Sequence, residues 1–261
     1  MKFLINSIKE LLEHKELLQN LTIKELKLKY RNSALGFFWS FLNPIMLLIV
    51  YSFAFKYIMR MKTPNFTVNL LAALLPWQFF QGAVQGSTTS IISNSNLIKK
   101  IYFPRQIMPL SIIFSNFISF LITLVILFGA IAFSNVKFSF TVVLLPIILL
   151  LLLGFSIGLS LLLSALNVLY RDVSHLVEVL FMLWFYLTPI VYVMETVPVR
   201  YRPLLLLNPI TIMVDSIRMV LIQGKVPSIF YFVAMLLWDI VVLYIGDKVF
   251  RKIENSFAEE V

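Results

Sequence analysis

The sequence contains no cysteine, which excludes disulfides, thiolate catalysis and cysteine-ligated metals. It has two histidines, His14 and His175, far apart and without ligand spacing, so a histidine-built metal site is not expected. Charge is scarce as well: Asp, Glu, Lys and Arg make up 13% of the chain, against about a quarter in an ordinary soluble domain. The eight glycines nowhere form a G-x-x-x-x-G-K loop, so the chain is not expected to bind and hydrolyse ATP by that route. No base stands beside a serine, threonine or tyrosine in an evident nucleophile motif. Neither catalysis nor a bound cofactor is therefore expected of this chain. The first long apolar run starts only after Arg31, and no cleavable signal peptide is expected.

What the sequence has in abundance is apolar surface. The chain is 60% hydrophobic, with a mean hydropathy of +0.91. No charge lies between Arg31 and Lys56, Lys62 and Lys99, Arg105 and Lys137, or Lys137 and Arg171. Each gap exceeds the roughly 20 residues that a helix needs to cross a bilayer. Two weaker segments follow, at about 176–194 and 227–249, the second containing Asp239. Unbroken apolar runs such as Val142–Leu153 argue against the short alternating strands of a membrane barrel. The expected fold is an all-α membrane protein with six transmembrane helices. The spans are placed at about 33–58, 68–92, 107–134, 138–168, 176–194 and 227–249. A cytoplasmic interface segment, 1–31, precedes this 32–254 membrane domain, and a cytoplasmic tail, 255–261, follows it.

The formal net charge is +9. Nucleic acid is one partner that a basic chain suits, but here the basic residues sit beside apolar runs. With both termini cytoplasmic, the inner segments hold the larger share of the 22 Lys and Arg, as membrane orientation requires. At about 100° per residue, Leu4, Ile5, Ile8, Leu11, Leu12 and Leu18 share one face of a helix over 2–21. Lys2, Lys9, Glu10, Glu13 and Glu16 take the other face. Such a helix lies in the headgroup plane or packs on a soluble partner. Residues 22–31 read as a short basic approach to the first span. Between spans five and six, Pro198, Pro203, Pro209 and Pro227 break a segment that is too apolar for a solvated loop. Re-entrant outer helices are expected there, covered by protein or water.

Several features carry two readings. Gly82-x-x-x-Gly86 and Gly154-x-x-x-Gly158 mark either close helix contacts or ordinary span composition. Phe37, Phe41, Leu48, Tyr51 and Phe55 fall on one face of span one. Phe181, Phe185, Thr188 and Tyr192 do the same in span five, with Trp184 at the margin. Such stripes line a path for sugar rings or are packing faces. Asp239, inside the last span, is either functional or paired with another helix. Arg171, Asp172, His175 and Glu178 fit a solvated helix start, with a gating role left open.

Four stretches then coincide in order. They are LKLKYRNSALGFFWSFLNPIMLLIVYSFAF (26–55), NSNLIKKIYFPRQIMPL (94–110), LNVLYRDVSHLVEVLFMLWFYLTPIVY (166–192) and LLLNPITIMVDSIRMVLIQG (205–224). Together they resemble the permease subunit of ABC-2-type polysaccharide exporters, the group that handles O-antigen and teichoic acid. The resemblance implies a homodimer in the cell inner membrane, paired with two copies of a cytoplasmic ABC ATPase. ATP and magnesium would bind that partner. The cargo would be a polyprenyl-diphosphate-linked glycan moved outward. The glycan path would run along Phe37, Phe41, Tyr51, Phe55, Phe181, Trp184, Phe185 and Tyr192. Arg31 and Lys29 would meet the diphosphate head, with Lys99, Lys100 and Arg105 also suited to it. Lys99, Lys100, Ile101, Tyr102, Phe103, Pro104 and Arg105 would couple to the ATPase.

Three other functions compete. A permease for a drug or small lipid would share this architecture. An integral-membrane enzyme acting on polyprenyl lipids would need a carboxylate pair or metal cluster, and the sequence shows neither. A stand-alone channel would need a filter motif, and none is evident.

Overall fold

The structure, a computed structural model, describes residues 10, 12–31, 33–61, 63–100, 103–134, 136, 137 and 139–260. The described residues form helices and connecting turns, with no strand among them. The first described helix, α1, runs Lys15–Tyr30. It therefore continues through the stretch expected to be an approach to the first span. Leu, Lys and Glu, which fill it, are strong helix formers. Thr22, a weaker helix former, is buried and returns its hydroxyl to the Leu18 carbonyl at 2.7 Å. Residues 1–9 and 11, which carry much of the expected amphipathic face, lie outside the described residues.

The first apolar helix starts with a 3-10 turn, Gly36–Phe38. It continues as α2, Trp39–Tyr51, and ends in a π-helical stretch, Ser52–Ile58. It leaves most of its surface uncovered, with Met46, Ile49, Val50, Phe53 and Tyr57 exposed. Helix α3, Phe66–Thr88, is the opposite case, buried along most of its length. It packs against α6, α7, α8 and α10. Short helices α4, Ser90–Ser93, and α5, Ser95–Lys100, lead to α6, Ile107–Ala132. A 3-10 turn, Phe140–Leu144, opens α7, Leu145–Leu169. Helix α8, Val173–Leu187, stops at Thr188-Pro189, where the proline disfavours helical backbone at the residue before it.

Beyond α8 the chain folds back as α9, Arg202–Leu206, and α10, Pro209–Arg218, the latter continued by a π-helical stretch, Met219–Gln223. The two arms meet at 111°, as the prolines of this segment led us to expect. The last long helix is α11, Ile229–Glu254, followed by α12, Phe257–Glu260. Among the described residues, four helices are long and apolar enough to cross a membrane: Gly36–Ile58, Ile107–Ala132, Phe140–Leu169 and Ile229–Glu254. The bent pair makes a fifth if it is one span. Six crossings instead require these four with α3, whose asparagine and glutamines dilute its apolar character, and α8, which has 15 residues, the bent pair then turning back without crossing.

Both small-residue motifs sit at helix contacts. A Cβ on Gly82 would stand 3.2 Å from Asn116 Oδ1, and one on Gly86 3.0 Å from Ile112 Cγ2, both on α6. Gly158 of α7 and Gly246 of α11 meet backbone to backbone. One turn away, Asp239 is pressed to Gly154, buried, and its Oδ1 has no hydrogen-bond partner among the described residues.

Candidate functional site

A cleft of about 1030 Å³ opens between α2, α3, α6 and α8, with the end of α1 at its edge. Helical spacing puts its polar residues there. Gln78, Gln81 and Gln85 share one face of α3. Asn116, Ser119 and Thr123 repeat the pattern on α6, and Ser40 and Asn43 on α2. The absence of a side chain on Gly82 lets Asn116 approach α3. Aromatic rings line the cleft beside these amides, among them Tyr51, Trp77, Phe181, Phe185 and Tyr186. Tyr51 and Phe185 stack across the α2–α8 junction, with centroids 5.9 Å apart and planes at 24°. Trp77 packs on Phe181 and Phe185, both at 5.7 Å. Among the described residues, the charged ones in the lining are Lys29 and Glu178.

The hydroxyls in this wall are satisfied locally. Ser119 donates to the Ser115 carbonyl at 3.0 Å and Thr123 to that of Phe120 at 2.7 Å. Gln81 Oε1 accepts the Trp77 indole N–H at 3.1 Å. Asn116 donates to the Ile112 carbonyl at 2.8 Å and accepts from Lys29 Nζ at 3.3 Å. Asn43, Gln78 and Gln85 have no side-chain partner among the described residues. Each of these amides offers two donors and an acceptor. Facing an apolar medium, such groups cost free energy unless water or a ligand pairs them. The arrangement suits a neutral, hydroxyl-rich ligand with flat apolar faces.

The expected path residues divide. Tyr51, Phe181 and Phe185 line the cleft, whereas Phe37, Phe41, Phe55, Trp184 and Tyr192 do not. Phe37 and Phe41 form an edge-on pair at 5.8 Å, and Phe55 leans on Tyr51 at 6.2 Å. The Trp184 indole donates to Asn208 Oδ1 at 2.9 Å, and Asn208 Nδ2 donates to Thr188 Oγ1 at 2.9 Å. Those bonds tie the end of α8 to the start of α10. Tyr192 donates its hydroxyl to the Tyr186 carbonyl at 3.3 Å. Lys29 is in the lining, while Arg31 is exposed outside it.

At the α5 end, Lys99 and Lys100 are exposed in the last turn of α5, and Phe103 and Pro104 are buried. Ile101 and Tyr102 lie outside the described residues. Arg105 is engaged: its guanidinium donates to the Glu254 backbone carbonyl, and its backbone N–H donates to Glu254 Oε1 at 3.2 Å.

Sequence reasoning passed over two features. The amide row was visible as three glutamines spaced three and four apart within an otherwise apolar helix. The other is Arg218, which is 1% exposed. Its guanidinium donates to the carbonyls of Asn69, Pro189, Ile190 and Tyr192. No local pattern signals it, because its partners come from α3 and from the irregular chain after α8.

The sequence profile of the ABC-2 type transporter family matches residues 16–222. The chain is 33% identical to the O-antigen export system permease protein RfbA of Myxococcus xanthus, over 99% of this chain and 100% of that protein. It is 34% identical to a protein of the same description from Klebsiella pneumoniae, over 94% of each. Similarity extends, at 22% identity over 90% of this chain and 93% of the other, to the polysialic acid transport protein KpsM of Escherichia coli. With most of its length matched by the family profile and by full-length relatives, the chain belongs to the ABC-2 type transporter family.

Proposed function

We propose that this chain is the membrane subunit of an ATP-driven exporter that carries a lipid-linked polysaccharide, of the O-antigen kind, out of the cytoplasm. Two relatives at 33% and 34% identity bear the name O-antigen export permease. The observation that carries the reading is the cleft, whose lining combines unpaired amides with aromatic rings. Sugar rings present hydroxyls at their rims and C–H faces between them, so the two kinds of lining residue match the two chemistries. Aromatic rings hold the flat faces, and the amides exchange hydrogen bonds with successive hydroxyls. Contacts of this strength let a chain enter and leave. A drug or small lipid would not need so many free amides.

In this reading the exporter is a homodimer with two cytoplasmic ATPase subunits, in the cell inner membrane. The chain crosses six times, with both termini inside and the α9–α10 fold at the outer face. Tyr51, Phe181 and Phe185 form the aromatic side of the path. Phe37, Phe41 and Phe55 extend the path beyond the cleft along the first apolar helix, while Trp184 and Tyr192 hold its outer end. Lys29 and Arg31 meet the diphosphate head. Lys99 and Lys100 face the ATPase. Nothing in the cleft forms or breaks a bond. The energy comes from ATP in the partner.

The test is surface display of polysaccharide in cells lacking the native permease, with membrane abundance of each variant measured alongside. Gln78→Leu/Gln85→Leu removes two amides worth about 0.5–1.5 kcal/mol each. Export should fall about tenfold at normal abundance. Tyr51→Ala and Phe185→Ala should each lower it as well. Full display from all three would reduce the cleft to packing. Stimulation of the purified complex's ATPase by a small lipid, but not by a lipid-linked glycan, would favour the drug or small-lipid reading.

A further inference from the structure

Arg105 and Gln106 follow the coupling helix, yet neither is turned outward. Arg105 grips Glu254 twice, through its backbone N–H and its guanidinium, and lies over the Phe257 ring at 5.9 Å. Gln106 is 4% exposed and donates to Asp247 Oδ1 at 2.8 Å. Asp247, 3% exposed, also receives Arg251 Nε at 3.3 Å, and Arg251 reaches back to Glu10 at 3.3 Å. Asp247 and Glu254 are seven residues apart on α11 and so share one face. Phe257 is fully buried against Phe250, and one apolar cluster joins both to Ile98 of α5 and to Phe103.

Such polar groups are a costly way to anchor a chain end. Apolar contacts of equal volume are often as stable or more so. What buried polar pairs add is a single register, because any slip leaves a donor or a carboxylate unpaired. Helix α11 is in turn locked to α7 through Gly246 and Gly158. Helices α3 and α6, which bear the cleft's amides, flank α4 and α5 in the chain.

We infer that Arg105 and Gln106 are positioning residues that clamp the coupling helix to the carboxyl-terminal end of α11, so that a push on α5 moves α6, α11 and α7 as one body. This rests on the reading that α5 receives the ATPase stroke. The clamp sends the stroke both to the cleft wall and to the α7–α11 pair. Without it, α5 would tilt under load and the ATPase would turn over with little transport.

The absence of cysteine makes the clamp directly measurable. Spin labels at Asn96→Cys and Lys252→Cys, both exposed positions, report the α5–α11 distance in the assembled permease–ATPase complex. The distance should change by less than about 2 Å between nucleotide-free and ATP-trapped states, the range of rigid-body behaviour. Adding Arg105→Ala or Gln106→Leu should widen the distribution in the trapped state. In proteoliposomes, ATP hydrolysed per glycan exported should rise about fivefold or more in these variants, as loss of a typical coupling free energy predicts. Arg105→Lys should restore part of it. A merely structural role would lower hydrolysis and export together. A distance that moves with nucleotide in the unaltered clamp, or that Arg105→Ala leaves unchanged, overturns the inference. Failure of the parent complex to export any glycan would instead sink the functional reading, and the distances would still judge the clamp.

Discussion

Arg218→Ala leaves little folded protein in the membrane. The guanidinium is the common partner of four backbone carbonyls. Three of them, Pro189, Ile190 and Tyr192, belong to the irregular chain where α8 has ended and no helical N–H is available. Unpaired backbone at membrane depth has no water to turn to. Arginine suits the task because its five N–H groups are fixed in a planar fork and stay charged. The fourth bond, to Asn69 near the start of α3, pins the fold-back to the most buried helix. Removing the centre of a buried charged network costs about 3–5 kcal/mol, a large part of an ordinary domain's 5–15 kcal/mol. In a detergent-solubilised thermal melt this corresponds to a loss of about 10 °C, with abundance falling in parallel. Arg218→Lys should recover only part of it, since one ammonium cannot reach four carbonyls. A melt of Arg218→Ala within about 2 °C of the parent would show that the four bonds are dispensable.

Arg218 also shows where sequence reading stops. Charge gaps located the long apolar helices because a bilayer imposes one requirement on every span, and that requirement is local. The prolines of 198–209 announced a broken segment for the same reason. The aromatic stripes were read from helical angle alone, which holds only while the helix lasts. Helix α8 ends at Leu187, so Tyr192 leaves the face shared by Phe181 and Phe185. Trp184, at the margin of the stripe, found a polar partner in Asn208 instead. Arg105 resembled a free cation beside Lys99 and Lys100, yet its partner Glu254 lies 149 residues away. The cleft's glutamines were legible as a pattern, but their meaning depends on Asn43 and Asn116 arriving from two other helices.

Gly158→Ala and Gly246→Ala should each destabilise the protein, although alanine is the better helix former. A Cβ on Gly158 would stand 2.6 Å from Leu243 N and 2.6 Å from the Val242 carbonyl carbon. One on Gly246 would run into the Gly158 carbonyl. The obstacles are backbone, so no rotamer change relieves them and the helices must separate. Lipid provides no hydrophobic drive to hold them, and van der Waals contact is what such pairs live on. Overpacking alone costs about 1–3 kcal/mol, and lost contact along the α7–α11 seam adds to that. Gly158→Leu should abolish folding. Gly129→Ala supplies the opposite sign, because nothing lies within 4 Å of its Cβ position. That change should gain about 0.5–1 kcal/mol from helix propensity. The paired signs separate contact from propensity in one melting series. If Gly246→Ala stabilised like Gly129→Ala, the two helices would not be in backbone contact, and the seam could not carry motion from the clamp into α7.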